Sequence, residues 1–415
     1  MSDLSHRCSV VTNIGEDDFV GVKISNNNIT VYFPLGFSIP SLDTEIRTEI
    51  LNLLQVLKRF SKHEKGTKQQ DNRSNAEDAI FPLTAYMDVI YDFIKCGYYI
   101  ERERVYQVNG KGTIDWKKTI HTQRPLIHDD EAFYTSFVVR KSSPDSNRLI
   151  TLIHQYCVYD SFAKLGWIFT DFMPEKPIIE FNRNLFATVV RDKLNNTNND
   201  SKKKLFNAML HIIYSLDANS DAQNFTYGTD SFEYIWERLI DNVFGIKNKM
   251  DYFPKTQWRN LKSGGAKDMS PLEPDTLMEY QGRFYVLDAK YYKYGITGIN
   301  SHLPGSASIN KQITYGEYVE KKRGQRYNTY NAFIMPFNKD KNVFGLNGPV
   351  GCIGEAVGEW RENNLPYERI QGFLIDIKYL MHAYKHNHGI EVEKLANKID
   401  EAVQASMTRQ AFGEQ

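Results

Sequence analysis

The segment Pro274–Tyr291 constrains the fold of this chain more than any other stretch of its sequence. Two runs of strand-forming residues flank Gln281–Gly282, and glycine supplies the positive φ that a two-residue hairpin turn requires. Pairing outward from this turn brings Asp275 opposite Asp288. Directly opposed residues of an antiparallel pair have Cβ atoms roughly 4.5–5.5 Å apart. The sequence therefore predicts two neighbouring carboxylates at the open end of a hairpin.

A lysine joins this pair of carboxylates. Because side chains alternate along a strand, Lys290 shares the face of Asp288 while Ala289 points away. Two close carboxylates repel unless a cation lies between them, and hard oxygen ligands suit Mg²⁺, with Mn²⁺ as the alternative. Such an ion can polarise a phosphate and hold a water for attack. We expect Asp275 and Asp288 to bind the metal, and Lys290 to orient or help deprotonate the water and to offset charge on the phosphate.

A second interpretation of these residues is purely structural. In it, Asp275 caps a strand end, and Asp288 and Lys290 form an exposed ion pair. The apolar run Phe284–Leu287 favours the catalytic interpretation, because it predicts a buried strand that delivers a charged pair at its C-terminal end. The ends of buried strands are common positions for functional sites.

The pattern PD, twelve residues, DAK resembles the motif of the PD-(D/E)XK nuclease superfamily. The resemblance implies an α/β core of order α-β-β-β-α-β, with a mixed central sheet flanked by helices. It also implies a metal-binding acid on the helix before the hairpin, for which Glu237 is the first choice and Glu233 the alternate. On the following helix, Gln312 would be an auxiliary catalytic residue, with Tyr315 beside it. The alternative is that these four side chains are solvated or packed without a catalytic role.

Longer blocks of the sequence resemble the LlaJI-type restriction endonuclease family. They are FVGVKISNNNITVYFPLGF near the N-terminus, NGKGTIDWKKTI at 109–120, the WE-containing helix and LPGSASINKQITYGEY at 303–318. The resemblance implies double-stranded DNA as substrate, a cognate methyltransferase and, in some systems, a GTP-driven AAA+ subunit resembling the McrB motor. GKGT lacks the complete G-x₄-G-K-[ST] pattern, so any nucleotide hydrolysis would belong to another subunit.

The charge balance limits how the chain can meet DNA. It has 51 basic and 51 acidic residues and a formal net charge of zero, so DNA binding depends on local basic patches or on a partner. The candidate phosphate contacts form two patches: Lys117, Lys118 and Arg124 in the first, and Lys321, Lys322, Arg323 and Arg326 in the second. For the first patch the alternative is a solvated strand face. For the second it is a basic helix end with a glycine stop, where cations offset the helix dipole.

The length of 415 residues accommodates two domains. Polar, turn-forming residues collect at 215–228, so we predict an N-terminal α+β domain at 1–220, for DNA recognition or partner docking, and a nuclease domain at 221–415. The sequence shows no secretory signal and no run of roughly 20 apolar residues. Its four scattered cysteines lack a C-x₂-C pair. We therefore expect a cytoplasmic protein without membrane association.

The favoured function is that of a Mg²⁺-dependent endodeoxyribonuclease in defence against foreign DNA. It would be a restriction endonuclease or the nuclease subunit of a restriction system, acting as a dimer or multi-subunit complex because cutting both strands usually requires two active sites. Two other functions stay open: a repair, recombination or structure-specific nuclease, and a non-catalytic DNA-binding or adaptor subunit. The intact D…D-x-K set argues against the adaptor, which has no need of it.

Overall fold

The computed structural model describes residues 4–25, 28–60, 82–128, 131–145, 148–218, 225–259, 266–324 and 328–411. The strands are β1 Cys8–Val10, β2 Val20–Ser25, β3 Asn28–Phe33, β4 Glu101–Val108, β5 Thr113–Ile114, β6 Leu126–His128, β7 Glu131–Phe133, β8 Val138–Asp145, β9 Phe225–Thr229, β10 Gln257–Arg259, β11 Ala266–Asp268, β12 Thr276–Tyr280, β13 Arg283–Ala289, β14 Thr329–Phe337, β15 Val350–Val357 and β16 Arg369–Asp376. The α-helices are α1 Asp43–Phe60, α2 Leu83–Cys96, α3 Trp116–Thr122, α4 Leu149–Leu165, α5 Arg183–Asn195, α6 Asp200–Ala218, α7 Phe232–Phe244, α8 Tyr294–Thr297, α9 Ser306–Arg323, α10 Ile377–Ala383 and α11 Gly389–Ala411.

The chain divides into two compact units. One combines Met1–Asn72 with Asn224–Gln415, and the other is Arg73–Gln223. This division differs from the predicted one at residue 220, which assigned the first strands to the N-terminal domain. The physical reason is strand pairing: β2 pairs with β9, for example Val22 with Tyr227. The first strands therefore complete a sheet in the unit that contains the C-terminal half of the chain.

That sheet has four strands in the order β1-β3-β2-β9. β1 runs parallel to β3, and β2 is antiparallel to both of its neighbours. Helix α1 packs beside it and also contacts α7 and α10, because its side chains at helical spacing, Ile46, Ile50, Leu53 and Leu57, are all buried. This N-terminal part of the chain thus supports the helices that flank the central sheet.

The central sheet of the first unit is mixed, as predicted, with the order β12-β13-β14-β16-β15. β12 and β13 form an antiparallel hairpin, β13, β14 and β16 run parallel, and β15 is antiparallel to β16. Two strands of this sheet precede α9, whereas the resemblance implied three. The short strands β10 and β11 pair with each other, Trp258 opposite Lys267, instead of joining this sheet.

Helices cover both faces of this sheet because side chains alternate along β13. Phe284 and Val286 point toward α9, where Tyr315 joins them in a buried apolar cluster. On the opposite face, the Tyr285 hydroxyl donates a hydrogen bond to Asp400 of α11 at 3.0 Å. β13 is therefore buried from both sides, and its C-terminal end carries the candidate site.

The second unit has an α+β fold, as predicted for the N-terminal region. Helices α2, α4, α5 and α6 pack together through fully buried side chains such as Tyr86, Ile153, Phe186 and Phe206. An antiparallel sheet of order β4-β8-β5 and a separate β6–β7 hairpin complete this unit. Helices thus supply most of its buried core.

Two global features accompany this architecture. Among the described helices, none has the length and apolar character needed to cross a membrane. The four cysteines, Cys8, Cys96, Cys157 and Cys352, are free thiols. The fold of the described residues is therefore held by packing and hydrogen bonds without a disulfide.

Candidate active site

The β12–β13 hairpin has the predicted register. The ladder runs from the turn to its last pair, Thr276 with Leu287. The turn residues Gln281–Gly282 have φ values of 48° and 76°, which are the left-handed conformations of a type I′ turn. One further step along the ladder places Asp275 across from Asp288. The local sequence thus determines which two carboxylates face each other.

Asp275 is held at the start of β12 by the neighbouring strand. Its Oδ2 accepts a hydrogen bond from the backbone N–H of Ala289 at 2.9 Å, which is the cap of the structural interpretation. Burial, followed by the charges of Asp288 and Glu237, raises the pKa of Asp275 to about 7. Asp275 is therefore both a strand-end cap and a member of an acidic cluster.

The ion pair between Asp288 and Lys290 is buried rather than exposed. Lys290 Nζ lies 2.6 Å from Asp288 Oδ2, and the two side chains are 18% and 5% exposed. A buried pair contributes little net stability because both charges lose water, so function explains it better than stability does. Burial alone would lower the pKa of Lys290, but the charges of Asp288 and Asp275 outweigh burial and raise it. Lys290 thus stays protonated, which fits orienting water or offsetting charge rather than accepting a proton.

Helix α7 presents one of its two candidate acids to this cluster. Glu237 is partly buried, and burial together with the charge of Asp288 raises its pKa. Glu233, one turn earlier, is exposed. The buried Trp236 fixes the rotation of the helix, since its indole N–H donates to the carbonyl of Ile334 at 3.4 Å. The geometry therefore favours Glu237 over Glu233 as the upstream acid.

The two residues predicted on the following helix lie inside the protein. Gln312 Nε2 donates to the carbonyl of Val286 at 2.7 Å and to Asn331 Oδ1 at 3.3 Å. The Tyr315 hydroxyl donates to the carbonyl of Glu273 at 3.1 Å. These bonds fasten α9 to the two segments that lead into the aspartates. They indicate that both residues position the site.

A lysine that the sequence did not single out secures Asp275 from another side. Lys249 lies in the short 3-10 helix Lys249–Tyr252. Its ammonium donates to the backbone carbonyl of Asp275 at 2.5 Å and to Asp241 Oδ1 of α7 at 2.8 Å. Lys249 therefore links α7 to the segment that carries the aspartate. Its irregular segment offers no periodicity from which this role could be predicted.

Lys311 of α9 is the second residue that the sequence analysis missed. Burial alone would lower its pKa, but a hydrogen bond with Tyr315 and the charges of Asp288 and Asp275 outweigh burial and raise it. Its ammonium lies 5.4 Å from the centroid of the Tyr315 ring. The signal was its position directly before Gln312 and four residues, about one helical turn, before Tyr315.

The acidic cluster is arranged around an ammonium. Lys290 Nζ occupies a coordinating position on Asp288 Oδ2. In the described part of the chain, no three His, Cys, Asp or Glu side chains form a group ready to hold a metal ion. Asp275, Asp288 and Glu237 are nevertheless close enough that their charges repel one another.

The first basic patch lies in the second unit. Lys117 and Lys118 belong to α3, whose N-cap Asp115 accepts a hydrogen bond from the backbone N–H of Lys118 at 3.0 Å. The interpretation as a strand face is therefore wrong, because the aspartate cap starts a helix there. Both lysines and Arg124 are exposed, and Lys118 Nζ lies 3.1 Å from the centroid of the Tyr106 ring. The patch is accessible to a phosphate backbone.

The second basic patch is the last turn of α9. Gly324 follows it with a φ of 67°, so the structure has the basic helix end with a glycine stop that was the alternative to phosphate contact. Arg323 is engaged inside the first unit. Its guanidinium donates to the carbonyl of Gly282 at 3.0 Å and lies 3.9 Å from the centroid of the Phe284 ring. Arg323 therefore fastens the helix end to the hairpin turn.

The other members of this patch differ from Arg323. Lys321 and Lys322 are exposed, and Lys322 Nζ lies 5.4 Å from the centroid of the Tyr252 ring. Arg326 lies outside the described residues. The two lysines remain the candidates for phosphate contact at this end of α9.

Comparison with known proteins identifies the family of the chain. A family model described as LlaJI restriction endonuclease matches residues 19–352. The chain therefore belongs to the LlaJI restriction endonuclease family, and the predicted membership is confirmed.

Two individual proteins are similar to the chain. The "Type II restriction enzyme BsuMI component YdjA" of Bacillus subtilis (strain 168) is 28% identical over 353 residues, which cover 80% of this chain and 75% of the relative. A solved half-complex of Thermococcus gammatolerans McrB AAA+ hexamers with bound McrC contains a chain that is 14% identical, with coverage of 89% of this chain and 81% of that one. Its TM-score of 0.33 is too low to establish a common fold.

Proposed function

We propose that this chain is the nuclease, or the nuclease subunit, of a restriction system that hydrolyses phosphodiester bonds in double-stranded DNA. The observation that carries the proposal is the buried cluster at the end of the hairpin, where Lys290 Nζ lies 2.6 Å from Asp288 and Asp275 stands beside them. Membership of the LlaJI restriction endonuclease family supports it. The family supplies the biological setting, and the cluster supplies the chemistry.

The acidic cluster suits a divalent cation as cofactor. Asp275, Asp288 and Glu237 offer hard oxygen atoms, which favour Mg²⁺ or Mn²⁺ over softer metals. Burial and repulsion among these carboxyls raise the pKa of Asp275 to about 7, and a cation held among them would relieve that repulsion. These three residues are the proposed ligands. When bound, Mg²⁺ would polarise the scissile phosphate and lower the pKa of a bound water.

The residues around the cluster would organise the reaction. The protonated Lys290 donates N–H groups to the attacking water or to a phosphate oxygen that gains negative charge. The N–H of Ala289 fixes the carboxylate of Asp275 at 2.9 Å, and Lys249 fixes its backbone carbonyl at 2.5 Å. The bond from Gln312 to the carbonyl of Val286 at 2.7 Å holds α9 against the strand that carries Asp288. The reacting groups are thus positioned before DNA binds, which lowers the entropic barrier.

We infer that the protein works with other subunits. The Bacillus subtilis relative is named as a component of a restriction enzyme, which supports a multi-component system. The zero net charge supports help from a partner in bringing DNA to the site. A separate McrB-like AAA+ subunit would perform any GTP hydrolysis, and a cognate methyltransferase would protect host DNA. Two active sites, from a dimer or a larger complex, would cut both strands.

The test uses the chain purified with its co-encoded subunits. Unmethylated and host-methylated plasmids are incubated with Mg²⁺, with and without GTP, and compared with the same reactions in EDTA. We expect discrete fragments from unmethylated DNA in Mg²⁺ alone or in Mg²⁺ with GTP. Asp288→Ala and Lys290→Ala should abolish cleavage while leaving DNA binding largely intact.

The outcomes distinguish the candidate functions. Equal cleavage of methylated and unmethylated DNA would favour a repair or recombination nuclease over a restriction enzyme. Normal cleavage by both variants would overturn the nuclease assignment and favour an adaptor subunit. Circular dichroism and thermal melting of each variant ensure that a lost activity reflects chemistry and not unfolding.

A further inference from the structure

Helix α9 presents a second ammonium to the acidic cluster. Lys311 is exposed and directly precedes the buried Gln312. Two hydrogen bonds determine where this turn of the helix lies. Gln312 Nε2 donates to the carbonyl of Val286 at 2.7 Å, two residues before Asp288. The hydroxyl of Tyr315 donates to the carbonyl of Glu273 at 3.1 Å. The turn that carries Lys311 is therefore fastened to both segments that carry the aspartates.

The ammonium of Lys311 lies beside the ring of Tyr315. Its Nζ lies 5.4 Å from the centroid of the Tyr315 ring, and that ring sits in the apolar cluster under the hairpin. The charges of Asp288 and Asp275 act on Lys311, and the charge of Lys311 acts in turn on Glu237. One cation thus lies within electrostatic range of all three candidate ligands.

Lys311 differs from Lys290 in whether it forms an ion pair with a carboxylate. Lys290 forms an ion pair with Asp288 at 2.6 Å. Within the described ranges of the chain, Lys311 forms no ion pair with a carboxylate, and its side chain is exposed. It therefore combines a full positive charge with an accessible position next to the cluster. An anionic group that approaches Asp275 and Asp288 from solvent would meet this ammonium.

The chemistry of that anionic group follows from the proposed function, on which this inference rests. A phosphodiester carries one negative charge on its non-bridging oxygens, and the attack of water adds charge to them. A preorganised cation that faces these oxygens stabilises the transition state more than the ground state. We propose that Lys311 contacts a non-bridging oxygen of the scissile phosphate and is a second catalytic lysine, carried by α9 rather than by the strand that delivers Lys290.

The experiment compares four variants of the complex with co-encoded subunits. Lys311→Ala removes the charge, Lys311→Arg retains it, and Lys394→Ala is the matched control, because Lys394 is an exposed lysine on α11, which covers the other face of the sheet. Asp288→Asn is the inactive reference. Single-turnover cleavage in Mg²⁺ is measured with enzyme in excess, and the binding of a short cognate duplex is measured in Ca²⁺ at several salt concentrations.

We expect Lys311→Ala to lower the single-turnover rate by roughly 100-fold, the usual loss for one transition-state donor. Its salt dependence of duplex binding should fall by about one unit of slope, as for one lost phosphate contact. Lys311→Arg should keep the rate within about tenfold of wild type, and Lys394→Ala should match wild type. If Lys311 had only a structural role, Lys311→Ala would leave the salt slope unchanged. Lys311→Arg would then not restore the cleavage rate.

Three results would overturn the inference, and the first two are distinguishable from the third. If wild type cleaves, Asp288→Asn is inactive and Lys311→Ala cleaves at the wild-type single-turnover rate, then Lys311 is not catalytic although the proposed function stands. The same conclusion follows if Lys311→Ala weakens only duplex binding. If the wild-type complex does not cleave DNA at all, the proposed function fails and the role of Lys311 fails with it.

Discussion

Strand β13 carries one ion pair at its first residue and a second, more deeply buried one just beyond its last. At the first residue, Arg283 pairs with Asp400 of α11, and the Tyr285 hydroxyl donates to the same carboxylate at 3.0 Å. One carboxylate here receives a cation and a neutral donor. Although burial raises the pKa of Asp400, both partners oppose that shift. At this end of the strand one cation pairs with one carboxylate, and Glu401 adds a smaller like charge.

The pair beyond the last residue has a different balance. Lys290 contacts Asp288 at 2.6 Å, but Asp275 and Glu237 add two further carboxyls, and repulsion contributes to raising the pKa of both. Two ion pairs on one strand thus have opposite characters. The balanced pair stabilises the fold, whereas the crowded one retains repulsion that an external cation can relieve. Functional sites should therefore be sought where buried groups of one charge outnumber the groups of opposite charge that pair with them.

The largest expected difference between the two pairs is in activity. Asp288→Asn removes a proposed metal ligand and should reduce DNA cleavage by at least about 1,000-fold, since metal and oxyanion contacts supply several kcal/mol to the transition state. Asp400→Asn should stay within about threefold of wild type, because Asp400 touches no reacting group. Initial rates of plasmid cleavage by the assembled complex measure both. Comparable losses from the two substitutions would remove the distinction between the pairs.

The third carboxyl of the crowded cluster should show an intermediate effect. Glu237→Gln is expected to reduce cleavage by roughly 10- to 100-fold, because it weakens metal binding without removing both aspartates. Glu233→Gln, one turn earlier on the same helix and exposed, is the matched control and should leave the rate within about twofold. Titration of the cleavage rate with Mg²⁺ should show a higher metal requirement for the Glu237 variant alone. The reverse pattern would identify Glu233 as the upstream acid.

The smallest effect concerns stability and its pH dependence. The pKa of Asp275 rises from 3.8 to about 7 in the folded protein. Between these values the native state binds more protons than the unfolded state, so the free energy of unfolding of metal-free protein should fall as pH rises. Asp275→Asn keeps an acceptor for the N–H of Ala289 and should flatten this dependence. At pH 8 it should be more stable than wild type by about 1–3 kcal/mol.

Urea unfolding in EDTA at pH 5 and pH 8 measures this effect. Asp400→Asn serves as the contrast: it should be less stable than wild type by about 1 kcal/mol at both values, because it weakens the pair between the partly exposed Arg283 and the mostly buried Asp400. Parallel pH dependences for wild type and Asp275→Asn would show that the cluster carries no excess repulsion.

Local chemistry made the hairpin predictable. The positive φ of Gly282 and the alternation of side chains after it sufficed to set Asp275 across from Asp288, and the observed ladder agrees. The rotation of α7, which brings Glu237 rather than Glu233 to the cluster, depends on the packing of Trp236 in the finished core. Sequence spacing alone left that choice open.

Other features depend on contacts between distant parts of the chain. Lys249 reaches Asp275 across 26 residues, and the pairing of β2 with β9 joins strands about 200 residues apart, for example Val22 with Tyr227. Neither contact produces a periodic pattern in the sequence from which it could be predicted. The prediction of a strand at Lys117–Lys118 was wrong for the opposite reason. A local cap at Asp115 starts a helix there.

The pairing of β2 with β9 has a consequence for how members of such a family can diverge. The strands β2 and β9 come from before and after Arg73–Gln223 and pair within one sheet. That whole stretch is therefore one continuous insertion between two strands of the sheet. All the hydrogen bonds described around Asp275 and Asp288 lie within the other unit. A single genetic exchange could therefore replace the insertion while the described hydrogen bonds around Asp275 and Asp288 stay in place.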